Sequence, residues 1–309
     1  MEKLPTKLVC STVHTAPPGQ GLAASFRQGS DAGFSSFLVS EAHCSLGTPD
    51  LARSLRRDRL RIAVVRTSAP DAARVDGFTD PRWLASSDPE GRREAVLRAR
   101  RLAEAAAALG CRTVILRAGF VPVPNAPLHH DALAGDVARG RSPAPEAVQE
   151  IEKLLDRHEE EALDRTCRSL FEICRRHPEI RFCLEPAGAF HEIPRSRHLP
   201  LLWSDLRAPN LAYWHDPVRC RSLERLGFDR EEAWLDATEN RLAGISLHDA
   251  RGGETGLPPG AGEIDFRRLA FYAPGCDWLS LEIRPSWDAA TTEEAVRFLR
   301  GRGIAPPGH

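Results

Sequence analysis

Four residues combine metal-ligating chemistry with a regular spacing. Glu185 stands in RFCLEP, Asp216 in LAYWHDP, His248 in GISLHDA and Glu282 in WLSLEIR. They lie 31, 32 and 34 residues apart, close to one strand–helix unit each. Three carboxylates and one imidazole suit a hard or borderline divalent ion: Mn²⁺, Mg²⁺, Co²⁺ or Zn²⁺. Carboxylates crowded at one place also repel strongly unless a cation sits among them. Any one of these residues alone reads as an ordinary polar residue at a strand end. The set of four, one unit apart, points to a metal centre.

Such residues need elements that bring them to one end of a scaffold. Short apolar runs alternate with amphipathic stretches along the whole chain, and eight candidate strands emerge: Lys7–Val13, Phe34–Val39, Arg61–Arg66, Arg112–Leu116, Arg181–Glu185, Leu211–Asp216, Leu242–His248 and Trp278–Ile283. Eight strand–helix units in one chain of this length predict a (β/α)8 TIM barrel, an α/β fold, as a single domain over residues 1–309. A doubly wound sheet is the alternative, but no GxGxxG follows an early strand. In a barrel, strand ends at the C-terminal mouth carry the active site. Alternation agrees with this. Gly244, Ser246 and His248 share one face of their strand, as do Trp278, Ser280 and Glu282, while Ile245, Leu247, Leu279 and Leu281 take the face suited to packing helices.

Several helices are legible as well. Ser87-Asp-Pro-Glu90 has the form of a capping box, and the helix it opens stops at Gly110. A second helical stripe runs from Pro145 to His177, and a last helix spans Thr292 to Arg300. Residues 119–145, rich in Pro, Ala, Gly and Asp, read as a long loop over the barrel mouth, and residues 301–309 as a frayed tail.

Composition narrows the classes. The chain has 309 residues, with 42 Lys and Arg against 43 Asp and Glu, a net charge of −1. This balance disfavours nucleic acid as a partner and argues against a nuclease of the same general fold. No apolar run is long enough for a membrane span, and the first residues lack the apolar core of a signal peptide. The eight cysteines include no CxxC pair and read as reduced core thiols, so a cytoplasmic location is expected.

LEP, WHDPVR, GISLHDARG, LPPGAGEIDF and LEI together resemble the xylose-isomerase-like TIM-barrel family of sugar and sugar-phosphate isomerases and epimerases. The match is good from Cys183 to the C-terminus, and Leu257–Phe266 is its most specific piece. The resemblance implies that Glu185, Asp216, His248 and Glu282 hold one divalent ion. It also implies that Glu185 and Glu282 are the acid–base pair, passing a proton through an enediolate. The substrate would be a small sugar, keto-sugar or sugar phosphate. Two further readings stay open: a barrel that keeps a metal or sugar pocket without turnover, and a dehydratase. A homo-oligomer is compatible with all three.

The chain departs from the family pattern at accessory histidines. Arg117, Arg219, Ser246 and Gly256 stand where the family usually has them. A guanidinium is permanently charged and forks onto anions. Arg219 and Arg117 are therefore candidate contacts for an acidic substrate, although Arg219 reads equally as capping its helix or pairing with Glu224. Glu41 and His43 follow the second strand and are placed to face the mouth. Trp214 shares a face with Asp216 and is read as a pocket wall or as core. His215 is expected to turn toward the helices, and His129, His130 and Asp131 to form a polar cluster on the long loop.

Overall fold

The computed structural model describes residues 7–12, 22–41, 48–67, 82–238, 240–282, 284 and 286–305. Its main strands are β1 (Leu8–Ser11), β2 (Ser36–Ser40), β3 (Arg61–Arg66), β4 (Thr113–Leu116), β5 (Arg181–Leu184), β6 (Leu211–His215), β7 (Leu242–Leu247) and β8 (Trp278–Leu281). They form one closed barrel in the order β1-β8-β7-β6-β5-β4-β3-β2. Each lies within or across its predicted segment and differs only at the ends. Most strand residues are buried, as expected of strands covered on both faces.

The chain falls into two compact units, one of residues 1–68, 102–115 and 242–309, the other of residues 69–101 and 116–241. In the first, β1 pairs in parallel with β8 and β2, β2 with β3, and β8 with β7. Trp278 lies opposite Gly244 and Ser280 opposite Ser246. The two serines are fully buried on one face, and Ile245, Leu247, Leu279 and Leu281 fill the other.

After β7 the chain turns into a hairpin, Asp249–Arg251 with Glu254–Leu257, and then a loop leading to the helix Phe266–Tyr272. Asp249 holds this loop. Its carboxylate accepts from the backbone N–H of Ala250, Gly260, Gly262 and Ile264 at 2.8–3.0 Å. A Cβ on Gly262 would lie 2.3 Å from both the Ala250 carbonyl oxygen and Asp249 Oδ1, and Gly260 has φ +91°. The glycines of LPPGAGEIDF are thus required by the grip of one carboxylate.

In the second unit β5 pairs with β6, Cys183 opposite Ala212 and Leu184 opposite Tyr213. Three expectations are corrected here and at the C-terminus. The stripe from Pro145 to His177 is two helices, Pro145–Asp156 and Glu159–Arg176. The second restarts on Glu159, Glu160 and Glu161, acidic residues suited to a helix N-terminus. The apolar stripe continues across the break through Leu155 and Ala162, so periodicity alone does not show it.

Residues 119–145 are not a plain loop. Gly119–Phe120 pairs antiparallel with Glu192–Ile193, and Ala126–Ala138 is a helix carrying His129, His130 and Asp131. That helix buries only Ala126 and Leu133, so it leaves no apolar stripe to read. The tail does not fray at once either: Ile304 and Ala305 are buried, because their apolar side chains pack. Residues 306–309 lie outside the described residues.

The helix Pro89–Ala108 is capped by Asp88, which accepts from Glu90 N and Gly91 N, one residue later than the capping box predicts. The described cysteines are all free, and burial pushes thiols such as Cys174 up to about 12. No described helix is long and apolar enough to cross a membrane.

Candidate active site

In the first unit the β7–β8 register carries on beyond the strands. Glu282 N donates to Leu247 O at 3.2 Å, which sets Glu282 beside His248 at the ends of adjacent strands. Both are buried. The carboxylate of Glu282 is gripped from several sides. Its Oε2 accepts from Ser11 Oγ at 3.1 Å, and its Oε1 accepts from Ser246 Oγ at 3.1 Å and Arg66 Nη2 at 3.4 Å. Arg66 Nη2 also donates to Ser246 Oγ at 3.2 Å. The negative field of Glu282 reaches Cys10, whose thiol is pushed well up by burial first and by Glu282 second.

Arg66 was missing from the sequence-based set. The signal available was an arginine closing RIAVVR, a charge held in the buried part of a strand whose four middle residues are apolar. A second arginine of this unit sits in an unexpected place. A Cβ on Gly256 would lie 1.7 Å from Arg284 Nε, so the guanidinium of Arg284 fills the space a side chain at 256 would need. In this unit, then, Ser246 carries a hydrogen bond from Arg66, and Gly256 yields its side-chain space to Arg284.

In the second unit Glu185 and Asp216 follow β5 and β6, adjacent strands, and both are buried. Asp216 has a local reason for its position: its Oδ1 accepts from Val218 N at 3.1 Å and Arg219 N at 3.0 Å, capping the helix Pro217–Arg225. Pro217 supplies the N1 residue that such a start favours.

Beside Glu185 lies a small cavity of about 10 Å³, lined among others by Trp83, Phe120, Arg117, Glu192 and Arg219. Arg219 and Arg117 both reach into it, and each donates to a different oxygen of Glu192. Glu192 Oε2 also accepts from Gly188 N at 2.6 Å. Burial opposes the charge of Glu192, but Arg219 and Arg117 outweigh it and hold the carboxyl down to about 2. Arg219 Nε donates to Pro186 O at 2.8 Å. Its guanidinium is held charged against burial by Glu192 first, then by Glu185 and Asp216. The pairing with Glu224 belongs to Arg221 instead, at 2.7 Å.

Glu192 was also missed in the sequence, where nothing separates it from a loop glutamate. Next to it, His191 stacks on Phe120 with ring centroids 5.1 Å apart, and burial lowers its pKa to about 4. The remaining sequence candidates fall out as follows. Trp214 has no exposed surface. His215 is fully buried, 3.1 Å from the Tyr213 hydroxyl, on the helix side as expected. His43 lies outside the described residues. Among the described residues, no group of three or more His, Cys, Asp or Glu side chains is gathered in a metal-holding arrangement.

The sequence matches the family model described as xylose isomerase-like TIM barrel over residues 26–302. No curated protein matches it. Among solved structures it is similar to an L-ribulose 3-epimerase at 16% identity, covering 98% of this chain and 95% of that one, with a TM-score of 0.65. It is similar to 3-keto-D-glucoside 4-epimerase from E. coli at 15% identity, covering 96% and 100%, with a TM-score of 0.65. An AP endonuclease of family 2 from Brucella melitensis is 14% identical, with coverage of 97% and 99% and a TM-score of 0.61. At these identities the likeness is one of fold.

Proposed function

The chain belongs to the xylose isomerase-like TIM barrel family, and from that premise we propose that it is a divalent-metal-dependent isomerase or epimerase of a small sugar, keto-sugar or sugar phosphate. The observation that carries this reading is the pairing of ligand-type residues on adjacent strand ends. Glu185 goes with Asp216 in one unit, and His248 with Glu282 in the other. The donor chemistry fits a divalent ion, since three carboxylates and an imidazole are what Mn²⁺, Mg²⁺, Co²⁺ and Zn²⁺ accept. Glu185, Asp216, His248 and Glu282 would hold it. When bound, such an ion supplies a Lewis acid that polarises a carbonyl and acidifies the neighbouring C–H.

The residues of the chain do the rest. Glu185 or Glu282 takes the α-proton from the substrate, and the other returns it to the opposite face or to the neighbouring carbon. Arg117 and Arg219 offer N–H donors to substrate oxygens in the cavity beside Glu185. Glu192 fixes both guanidiniums there, so little side-chain freedom is lost when substrate binds. Trp83 and Phe120 wall the cavity.

Incubation with Mn²⁺ and a panel of ketoses and sugar acids in D₂O tests the reading. Deuterium is expected at the carbon next to a carbonyl, seen by NMR, with the epimer or isomer accumulating alongside. A panel showing neither exchange nor product would leave a barrel that binds without turning over.

A further inference from the structure

Glu282 is gripped from within its own unit. It is 1% exposed, and Ser11, Ser246 and Arg66 all donate to it. The Arg66 side chain is itself only 11% exposed, so both charges of this pair are largely out of water. A buried carboxylate needs a compensating cation, and Arg66 provides one. Crowded carboxylates alone would make an ion essential to the fold. Arg66 changes that: Glu282 keeps a cation whether or not an ion is present.

We propose that Arg66 is the resident cation of Glu282 and sets the strength of the ion site, making the bound ion exchangeable rather than part of the fold. A divalent ion that takes Glu282 as a ligand must share that carboxylate with a guanidinium and lie close to a like charge. Arg66 therefore weakens ion binding and preserves the fold of this unit. The donation from Arg66 to Ser246 keeps the guanidinium on the interior face of β7, where it remains beside Glu282. This inference rests on reading Glu282 as an ion ligand.

The test is Mn²⁺ titration by calorimetry on wild-type protein, R66Q and R66K, with thermal melting in EDTA and in Mn²⁺. R66Q removes the charge and is expected to bind Mn²⁺ about tenfold tighter, the factor that about 1.4 kcal/mol of relieved repulsion gives. It should melt lower than wild type in EDTA and recover in Mn²⁺. R66K keeps the charge and is expected to stay within about threefold of wild type, well short of the change that removing the charge gives. Wild type is expected to melt at nearly the same temperature in EDTA and in subsaturating Mn²⁺.

If wild type binds Mn²⁺ and R66Q binds it no tighter, Arg66 does not set the affinity and the inference fails while the ion site stands. If R66Q folds only with Mn²⁺, the proposal is supported, because the ion has then become the sole cation at Glu282. If R66Q does not fold at all, R66K decides: a tenfold change in its affinity overturns the proposal. If no variant binds Mn²⁺, the ion site itself is wrong, and this inference falls with it.

Discussion

Arg117 and Arg219 share one carboxylate: each donates to a different oxygen of Glu192, beside a cavity that also reaches Glu185. With Glu185 and Asp216 taken up as ligands of the proposed ion, the two guanidiniums against Glu192 leave one positive charge in excess at that place. An acidic substrate group is therefore expected to bind better than its neutral counterpart. Arg219→Ala should cost about 1.5–3 kcal/mol in binding a sugar acid, the range for hydrogen bonds to charged groups, and little for the neutral sugar. Calorimetry with an aldonate and the matching ketose checks this. Equal losses for both ligands would make Arg219 a support for Glu192 only.

The acid–base pair predicts a split between two readouts. Glu185→Gln and Glu282→Gln should each abolish interconversion of the substrate, because one of the two proton transfers is lost. One of the two variants is expected to keep exchanging the α-proton with solvent, since a single base suffices for that half-reaction. Product formation and deuterium uptake, followed in the same NMR tube, separate the outcomes. Full interconversion by both variants would reduce the two carboxylates to ligands.

His191 gives the protein a pH-dependent stability of known sign. Burial lowers its folded pKa to about 4, below the ordinary 6.5. Between those values the unfolded chain binds the proton and the folded one does not, so stability rises with pH there. The contribution is full above pH 6.5 and is lost as pH falls toward 4. The full shift corresponds to about 3 kcal/mol, at about 1.4 kcal/mol per unit. Urea unfolding of His191→Gln from pH 7 to 4.5 is expected to show a flatter profile than wild type. Parallel profiles would show that His191 is not the group responsible.

The loop held by Asp249 predicts a sharp contrast between two glycines. A Cβ on Gly262 would sit 2.3 Å from Ala250 O and Asp249 Oδ1, whereas one on Gly253 meets nothing within 4 Å. Gly262→Ala should destabilise the protein by about 1–3 kcal/mol, the usual cost of overpacking. Gly253→Ala should stay within about 0.5 kcal/mol. Denaturant midpoints measure both, and similar values for the two would mean that Asp249 does not grip this loop.

The eight barrel strands were legible because each is a short apolar run, to which β7 and β8 add a simple alternation. The serines at 246 and 280 and the ligand-type residues two positions on follow that alternation into the interior. What escaped the sequence has physical reasons. The helix Ala126–Ala138 buries too little to show a stripe. The break before Glu159 keeps the apolar stripe in phase. Arg66 and Glu192 gain their meaning only from partners far along the chain: Glu282 for the first, Arg117 and Arg219 for the second. Single charged residues carry no mark of the partner they will meet. The arginine that fills the space at Gly256 is equally invisible, since the glycine reports only that something must pass close by.

The grip of Asp249 falls on backbone N–H groups, at Gly260, Gly262 and Ile264. The side chains between these points, Ala261 and Glu263, play no part in it, and Glu263 is exposed. The loop after β7 is therefore a cassette: its shape is encoded by one carboxylate and two glycines, and its chemistry is free to be rewritten. A library randomised at 261 and 263 alone would change what this loop shows to its surroundings while leaving its path unchanged.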